Sequence, residues 1–281
     1  MKTAMGIIMF VLALGVSAYA ETRKEQPMEP THKQKVIALL KSIETGSTIP
    51  LSYINPSKYI QHNLSVADGL AGYRALLKQL PTNSAKVNIM RAFQDGEFVF
   101  THSAYNFFGP KIGFDIFRFE NGKIVEHWDN LQGTAKPNPS GHSMIDGTTR
   151  VKDLHKTKAN KALVRDFAED ILVNGKMEKL AGYFDGDNYI QHNPLIPDQL
   201  SGLRKAWDEW RKRGIIVKYH TIHRVLGEGN FVLVVSDGHI AGKHDSFYDL
   251  FRVENGKIAE HWDVIEEIPA KKKWKNNNGK F

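Results

Sequence analysis

The sequence predicts an α+β fold made of two tandem copies of one domain. The first observation is an internal repeat: Tyr-Ile-Gln-His-Asn stands at residues 59–63 and again at 189–193. The second is that Glu-His-Trp-Asp stands at 126–129 and again at 260–263, nearly the same distance apart along the chain. Collinear repeats at a fixed spacing indicate duplicated structural units. In each copy, helical periodicity precedes a run of strand-like segments, which is the order typical of an α+β domain.

The helices of each copy come first. Apolar residues recur at helical spacing over 33–40 in copy one and over 158–172 in copy two, where Asn174-Gly175 ends the pattern. A short second helix and the strand bearing Tyr-Ile-Gln-His-Asn follow. A third helix is predicted over 69–77 and 201–211.

The strands complete each copy. In copy one, alternating or β-branched and aromatic segments predict strands at 87–92, 98–105, 112–119 and 124–131. Asn-Gly pairs, at 121–122 in copy one, predict tight hairpins because both central turn positions need positive φ. The order of elements therefore predicts one helix-then-sheet unit in each half of the chain.

The boundaries follow from the repeat and from composition. We predict domain 1 at residues 31–133 and domain 2 at 154–268. Between them, residues 134–153 (the linker) are rich in Gly, Pro, Ser and Thr. Residues 269–281 (the tail) are rich in lysine, and we expect them to be a solvated terminus.

The N-terminus predicts export. Residues 1–20 carry one cation, Lys2, then an apolar run, and end in Ala18-Tyr19-Ala20, the small-x-small pattern that a signal peptidase cleaves. The apolar run is shorter than the roughly 20 residues that a membrane-spanning helix needs. We therefore predict cleavage after Ala20 and a secreted or periplasmic protein. No membrane association is expected after cleavage.

Composition excludes several classes of protein. The chain has no cysteine, so a disulfide framework, a lipoprotein anchor and a cysteine nucleophile are all excluded. It is 41% hydrophobic and 25% charged, as is ordinary for a globular protein. Its net charge of +7 owes much to the tail, and for an exported protein we predict no nucleic-acid partner.

The motifs resemble those of a known family. Tyr-Ile-Gln-His-Asn, a helix opened by Gly, and a long strand motif ending in Glu-His-Trp-Asp resemble the SnoaL-like branch of the nuclear-transport-factor-2-like superfamily, in both copies. The resemblance implies two tandem cone-shaped α+β barrels, each with a bent antiparallel sheet wrapped on N-terminal helices around a pocket. Members include polyketide cyclases that use aldol chemistry. Related folds serve as isomerases, dehydratases, epoxide hydrolases and binding modules, so the fold alone does not give the reaction.

Strand parity predicts which side chains face the pocket. Asp115, His127 and Asp129 share one face, whereas Glu126 and Trp128 share the other. A carboxylate among Phe side chains loses hydration, so we expect a raised pKa and a role in proton transfer. The predicted catalytic residues are Asp115, His127, Asp129, Asp249, His261 and Asp263. The predicted substrate-binding residues are His62, Asn63, His102, Phe117, His192, Asn193, Tyr248 and Phe251.

Strand parity and a difference between the two copies limit which of these residues can line both pockets. His62 and Asn63 cannot both face inward in a regular strand, although a bend could allow it. Copy two lacks a counterpart of His102, since Val234-Val235-Ser236 stands there and His239 and His244 lie further along. The two pockets are therefore not expected to be identical.

Other chemistries receive less support. His62, His102, His127 and Asp115 could supply metal ligands, but their spacing matches no ligand signature, so no metal and no cofactor are predicted. Gly-x-Ser-x-Gly is absent. The leading hypothesis is acid–base catalysis of aldol condensation, cyclisation or isomerisation on a small apolar carbonyl compound in each pocket. The alternative is a binding module for a small ligand or a protein.

The outward side chains predict how the copies associate. Trp128 and Trp262, each beside a glutamate and an arginine, would stand on the other face of their sheets. A large aromatic side chain on such a face usually has a cover. We expect the two copies to pack sheet to sheet as an intramolecular pseudo-dimer. A homo-oligomer is a further possibility.

Overall fold

The computed structural model describes residues 29–81 and 84–281. The predicted signal peptide, residues 1–20, lies outside this range. Residues 31–281 form one compact unit. No helix in the described ranges is long and apolar enough to cross a membrane.

Domain 1 begins with three helical elements. They are α1 (His32–Thr45), a 3-10 helix (Ile49–Tyr53) and, after the short strand β1 (Ile60–Gln61), α2 (Gly69–Gln79). Helix α1 starts with a capping box, in which the Thr31 hydroxyl accepts from the Gln34 N–H and the Gln34 side chain accepts from the Thr31 N–H. Four strands complete the domain: β2 (Lys86–Asp95), β3 (Phe98–Asn106), β4 (Pro110–Glu120) and β5 (Lys123–Gly133).

Domain 2 repeats this order. Helix α3 (Thr157–Phe167) continues into a π-helical segment (Ala168–Val173), and a 3-10 helix (Met177–Tyr183), β6 (Ile190–Gln191) and α4 (Leu200–Lys212) follow. The strands are β7 (Val217–Glu228), β8 (Phe231–Ile240), β9 (Lys243–Glu254) and β10 (Lys257–Glu267). The predicted α+β class is thereby confirmed.

The two sheets have the same topology. Their strand orders are β1-β5-β4-β3-β2 and β6-β10-β9-β8-β7. The two short strands, β1 and β6, pair in parallel with β5 and β10, whereas the remaining pairs are antiparallel. Both Asn-Gly turns have positive φ at each residue, 49° and 72° in domain 1 and 50° and 74° in domain 2, as the hairpin prediction required.

Each sheet has a helix-side face and a shared face. The helix-side faces carry the separate cores of the two domains. The shared faces meet in a third core that draws from both sheets, with Trp128 and Phe114 from domain 1 and Trp262 and Leu250 from domain 2. The two domains are therefore joined by buried apolar side chains.

The linker and the tail pack on the domains, contrary to the expectation of a solvated tail. In the linker, Asn138 donates to the carbonyl oxygens of Gln191 and Ile196 in domain 2. In the tail, Asn276 donates to the carbonyl oxygens of Asn63 and Val66, at the equivalent place in domain 1. The linker, which follows domain 1, is thus hydrogen-bonded to domain 2, and the tail, which follows domain 2, is hydrogen-bonded to domain 1. Carbonyl groups at the end of each short strand need donors, and the two asparagine side chains supply them.

Candidate functional site

Each domain brings one histidine and two aspartates together on its helix-side face. Asp115 and Asp129 lie directly opposite each other on β4 and β5, and His127 lies opposite Phe117. The oxygen and nitrogen atoms of this trio lie within 4.8 Å of one another. All three side chains are buried, and their grouping follows from strand parity and register alone.

The equivalent trio in domain 2 is Asp249, His261 and Asp263. The two aspartates are again directly opposite each other on β9 and β10. Their ligand-type atoms also lie within 4.8 Å of one another.

A glutamine fixes the tautomer of His261. The Gln191 Oε1 atom accepts from the backbone N–H groups of His192 and Asn193, at 2.9 Å each, so it is an acceptor. His261 Nδ1 lies 2.9 Å from that oxygen and therefore carries a proton. His261 Nε2 lies 3.0 Å from Asp249 Oδ1, a contact that needs one further proton. The Asp249–His261 pair consequently holds one labile proton, either on the imidazole or on the carboxyl group.

Domain 1 contains the same arrangement. Gln61 Oε1 accepts from the Asn63 N–H at 2.8 Å and lies 3.0 Å from His127 Nδ1. His127 Nε2 lies 3.1 Å from Asp115 Oδ1. The proton-sharing pair is therefore duplicated along with the fold.

The second aspartate of domain 2 has a free oxygen. Asn193 donates to Asp263 Oδ2 at 2.6 Å, whereas Asp263 Oδ1 is buried and has no hydrogen-bond partner in the described part of the chain. Burial, and the nearby charge of Asp249, raise the pKa of the Asp263 carboxyl above its ordinary value, although His261 opposes the rise. Asp263 is thus biased toward its protonated form.

In domain 2 the trio lines a cavity of about 410 Å³. This volume is in the range of small-molecule sites. The wall is mostly aromatic and aliphatic, with Trp207 and Trp210 from α4 and Phe251 beside His261. Its polar groups are few: Gln191, Asn193, Tyr219, Asp249, His261 and Asp263 line it, together with Gln132 from domain 1.

Tyr219 completes the polar end of this cavity. Its hydroxyl lies 3.3 Å from each oxygen of Asp249. Burial, and then the charge of Asp249, raise the pKa of Tyr219 well above its ordinary value, so the phenol keeps its proton and donates. In domain 1 the corresponding donor is Tyr105, which comes from a different strand and donates to Asp115.

An exchange of an aromatic residue and a glycine accounts for this difference. In domain 1, Tyr105 lies on β3 beside Gly113 on β4, where an added Cβ would come within 3.2 Å of the Tyr105 ring. In domain 2 the equivalent positions are Gly238 on β8 and Phe247 on β9, and an added Cβ at Gly238 would lie 3.0 Å from the Phe247 ring. Each sheet therefore has room for one large ring here, and the domains place it on different strands.

The tail closes over the trio of domain 1. Lys280 Nζ donates to the carbonyl oxygen of Asp129 at 2.8 Å and lies 4.0 Å from Asp129 Oδ1. It also pairs with Glu266 Oε2 at 2.5 Å. The Lys280 side chain is only 5% exposed. A buried ammonium group thus occupies the surroundings of Asp129, whereas domain 2 has a cavity beside the equivalent Asp263.

His62 and His192 were predicted to bind substrate, and the structure places them on the shared face instead. They lie just after the short strands, stacked on Trp128 and Trp262 with ring centroids 4.7 Å and 4.6 Å apart. His192 Nε2 pairs with Glu260 at 3.0 Å. Parity explains the outcome, because Gln and Asn of the motif turn inward and the histidine between them turns outward.

His102 and Tyr248 also lie on the shared face, against the prediction. His102 Nδ1 is 3.2 Å from Arg91, and its ring stacks on Phe114 at 4.2 Å. Tyr248 is fully buried in the core that both sheets share. Asn63, Asn193, Phe117 and Phe251 lie on the helix side as expected, with Phe117 and Phe251 stacked on the trio histidines.

Sequence reasoning missed Gln61, Gln191 and Tyr219. The glutamine had a signal, since it recurs in both copies of Tyr-Ile-Gln-His-Asn and shares parity with the asparagine. No pattern in the sequence indicated Tyr219, because its strand carries two bulges that shift the alternation of side chains.

The shared face contains a reciprocal pair of cation–π contacts. The Arg224 guanidinium of domain 2 lies 3.9 Å from the Trp128 ring, and the Arg91 guanidinium of domain 1 lies 4.2 Å from the Trp262 ring. Desolvated contacts of this type contribute about 2 kcal/mol. The predicted outward tryptophans are thus each covered by the other domain.

Comparison with known proteins identifies the family of the second half. Residues 164–261 match the model of the SnoaL-like domain family. Domain 2 is a SnoaL-like domain. The resemblance predicted from the sequence is confirmed, and domain 1 shares the strand order of this SnoaL-like domain. A search of curated proteins gave no match.

Solved structures similar to the chain each match over about the length of one domain. An LEH-like epoxide hydrolase from M. tuberculosis is 24% identical, with 40% of this chain and 85% of that chain covered and a TM-score of 0.31. An NTF2-like protein of unknown function from Cytophaga hutchinsonii is 13% identical, with 38% and 95% covered and a TM-score of 0.33. A protein of ketosteroid isomerase-like fold from Catenulispora acidiphila, in complex with trimethylamine, is 16% identical, with 35% and 85% covered and a TM-score of 0.29.

Proposed function

We propose that domain 2 is an acid–base enzyme for a small, mostly apolar carbonyl compound. One observation carries this proposal: the Asp249–His261 pair, which holds a single labile proton, lies in the wall of an apolar cavity of about 410 Å³. An apolar wall favours an apolar substrate, and it excludes water that would weaken the electrostatic contacts of the site.

The chemistry requires a base and a hydrogen-bond donor. Asp249, with His261 behind it, removes a proton from the carbon next to the carbonyl group. The electron pair left on that carbon moves toward the carbonyl oxygen and gives an enol or enolate. Asp263, whose pKa is raised by burial, donates to that oxygen through its free Oδ1 atom when its carboxyl group is protonated. General acid–base groups in such positions contribute about 10²–10⁴-fold to the rate. Proton return at another carbon gives isomerisation, and attack on a second carbonyl group gives aldol ring closure.

Domain 1 is proposed to be a structural partner. Its trio keeps the proton-sharing pair, but the buried Lys280 ammonium group lies 4.0 Å from Asp129 Oδ1. Only the cavity of domain 2 then takes part in turnover. The intramolecular pseudo-dimer is part of this proposal, and size-exclusion chromatography with light scattering tests whether the full chain forms homo-oligomers.

A binding module is the second candidate. The tryptophans and aliphatic side chains of the cavity would hold an apolar ligand whether or not a proton moves. In that case the buried trio is a structural polar cluster, and no substitution within it changes a reaction rate.

One experiment separates the two candidates without knowledge of the natural substrate. Acetophenone in D₂O exchanges its methyl protons only if a base removes them, and NMR follows both this exchange and binding of the ketone. We expect the wild type to bind the probe and to accelerate exchange, and Asp249→Asn to bind it without acceleration. If both proteins bind acetophenone and exchange its protons at equal rates, the enzyme proposal is contradicted and the binding module is supported. If the wild type does not bind acetophenone, both candidates are contradicted for this class of ligand.

Export remains a proposal as well. The N-terminal pattern supports secretion with cleavage after Ala20. N-terminal sequencing of protein from an exporting host is expected to begin at Glu21. An intact Met1 on protein recovered from outside the cytoplasm would contradict the cleavage.

A further inference from the structure

We propose that the linker and domain 2 together bind a divalent transition-metal ion through the side chains of His142, Asp146 and His192 (the linker site). His142 and Asp146 belong to the linker, whereas His192 follows β6 and lies on the shared face of domain 2. Its two neighbours, Gln191 and Asn193, line the cavity instead. The linker site is therefore separate from the cavity and does not depend on the proposed function.

The ligand-type atoms of the linker site converge on one place. One nitrogen atom of each histidine and one oxygen atom of Asp146 lie within 4.8 Å of one another. Two ligands of a tetrahedral zinc ion lie about 3.3 Å apart when each is about 2.0–2.1 Å from the metal. The His142 and Asp146 side chains are 34% and 47% exposed, so they can rotate by the small amount required and an ion from solvent can reach them.

Asp146 has one carboxylate oxygen available to an ion. Its Oδ2 atom accepts from the Ser143 N–H at 3.1 Å. Its Oδ1 atom is buried and has no hydrogen-bond partner in the described part of the chain, although it lies 2.8 Å from His192 Nδ1. That nitrogen makes its hydrogen bond to the Ser143 carbonyl oxygen, at 2.9 Å. Buried polar atoms without a partner are rare in native proteins, and a cation bound to Oδ1 would supply the missing interaction.

A carboxylate orients each of the two histidines. Glu260 Oε1 lies 3.0 Å from His192 Nε2 and also accepts from the Thr148 N–H at 3.2 Å. Asp198 Oδ2 lies 3.0 Å from His142 Nε2. When Nε2 donates to a carboxylate, Nδ1 is the ring nitrogen left to bind a metal, and the ion takes the place of its proton. Metal-binding histidines almost always have such a partner behind them.

The backbone around Asp146 is held in place by domain 1 and by close packing on His192. The Arg91 guanidinium donates to three carbonyl oxygens of the linker, those of Ile145, Asp146 and Thr148. Gly147 has a φ of 88°, and a Cβ added there would lie 2.8 Å from the His192 ring. Only glycine allows this conformation and this close approach. The Asp146 side chain is therefore presented beside His192 by a fixed backbone, as a ligand site requires.

The charges around the linker site favour a cation. Asp146, Asp198 and Glu260 bring three carboxylates, whereas Arg91 and Arg252 bring two guanidinium groups. The surplus charge is negative, so the attraction for a divalent cation exceeds the repulsion. Two imidazoles and one carboxylate suit zinc and its neighbours among the transition metals, with water as a fourth ligand, and we commit to zinc as the probe.

Domain 1 lacks the two ligands that the linker supplies. Its equivalent histidine, His62, also contacts a glutamate, Glu126, at 3.0 Å and a carbonyl oxygen of the tail, that of Gly279, at 2.9 Å. The tail, residues 269–281, contains no histidine, aspartate or glutamate. Since domain 1 holds its histidine in the same way without such residues, the fold does not require His142 and Asp146. Their presence therefore points to a ligand rather than to packing.

Calorimetric titration of the full chain with Zn²⁺, after treatment with a chelator, tests the proposal. We expect one ion per chain. Asp198→Asn changes only the carboxylate behind His142 and should weaken zinc binding about 10–100-fold. His142→Ala and Asp146→Asn each remove a ligand and should weaken it further. Exposed His155→Ala is the matched control and should bind zinc as the wild type does.

Zinc should also stabilise the fold, because the ion joins the linker to domain 2. At a concentration 100 times its Kd, zinc should raise the Tm of the wild type by roughly 5–10 °C. The same concentration should raise the Tm of His142→Ala by much less. Circular dichroism without zinc checks that each variant is folded.

Three outcomes would overturn the linker site. The first is no zinc binding by the folded wild type, and the second is unchanged binding by both His142→Ala and Asp146→Asn. The third is loss of binding in His261→Ala while His142→Ala binds normally. That result would assign the ion to the trio of the cavity, whose ligand atoms also lie within 4.8 Å of one another.

Discussion

The two domains differ in the side chains that surround the same buried trio. Both hold a histidine between a glutamine and an aspartate, with nearly equal distances. In domain 2 that trio lines an aromatic cavity, whereas in domain 1 the buried Lys280 ammonium group lies beside it. The polar network of glutamine, histidine and aspartate is the same in both domains. The side chains around this network differ between the domains.

The largest expected difference between the domains is in proton transfer. Asp249→Asn should reduce deuterium exchange of acetophenone by about 10²–10⁴-fold, because the base is lost while the shape of the cavity is kept. Asp115→Asn should leave exchange unchanged, because the cavity proposed to hold the probe is lined by the trio of domain 2, whereas a buried lysine lies beside the trio of domain 1. Equal losses in the two variants would mean that both domains are active.

Because the two domains share one core, we expect replacement of the buried tryptophan of either domain to lower the unfolding free energy of the whole protein. Trp128→Ala and Trp262→Ala each remove a fully buried indole, which typically costs about 3–5 kcal/mol of unfolding free energy. The Trp262 change should cost more, since its N–H also donates to the Asp146 carbonyl at 2.8 Å, whereas Trp128 Nε1 has no partner in the described ranges. Urea denaturation should show one transition in both variants. Two separate transitions would show that the domains fold independently.

We expect the tail to stabilise domain 1. Burial raises the pKa of Glu266, and Lys280 opposes this rise. Lys280→Met removes the cation from buried acceptors, so we expect a loss of about 1–3 kcal/mol in unfolding free energy at pH 7. The exposed Lys272→Met is the control and should change stability by less than about 0.5 kcal/mol. An equally small effect at Lys280 would mean that the tail is not anchored there.

The smallest expected effect is a pH dependence at Asp263. Its pKa is raised in the folded state, so protonation stabilises the fold at low pH, and this contribution is lost as pH rises through the folded-state pKa. Asp263→Asn should therefore be more stable than the wild type at pH 7. The difference should vanish below about pH 4, where the unfolded carboxyl is also protonated. Thermal unfolding across this range measures it, and a difference that grows toward low pH would contradict the assignment.

The fold and the trio could be predicted because they depend on local rules. The Asn-Gly turns, the helical periodicity and the repeat determine the elements and their order. Strand parity then groups Asp249, His261 and Asp263 without knowledge of any contact. Parity also separated Asn193, which faces inward, from His192, which faces outward.

The substrate-binding predictions at His102 and Tyr248 were wrong because they did not take account of the second sheet. A buried polar residue on a strand can face either the helix-side core of its own domain or the core that the two sheets share. When one domain is considered alone, only the helix-side core is expected. Bulges make such predictions harder. The extra residue His220 in β7 reverses the face on which Tyr219 and the residues before it would otherwise lie.

The sequence by itself determined the duplication, the α+β class and the polar trio, because these follow from repeats, periodicity and alternation along the chain. Only the tertiary structure decided that Gln191 fixes the proton on His261, and that Lys280 lies beside the trio of domain 1 while the trio of domain 2 lines a cavity. These contacts join residues far apart in the chain. Their partners are chosen by packing in three dimensions, which periodicity along a strand does not encode.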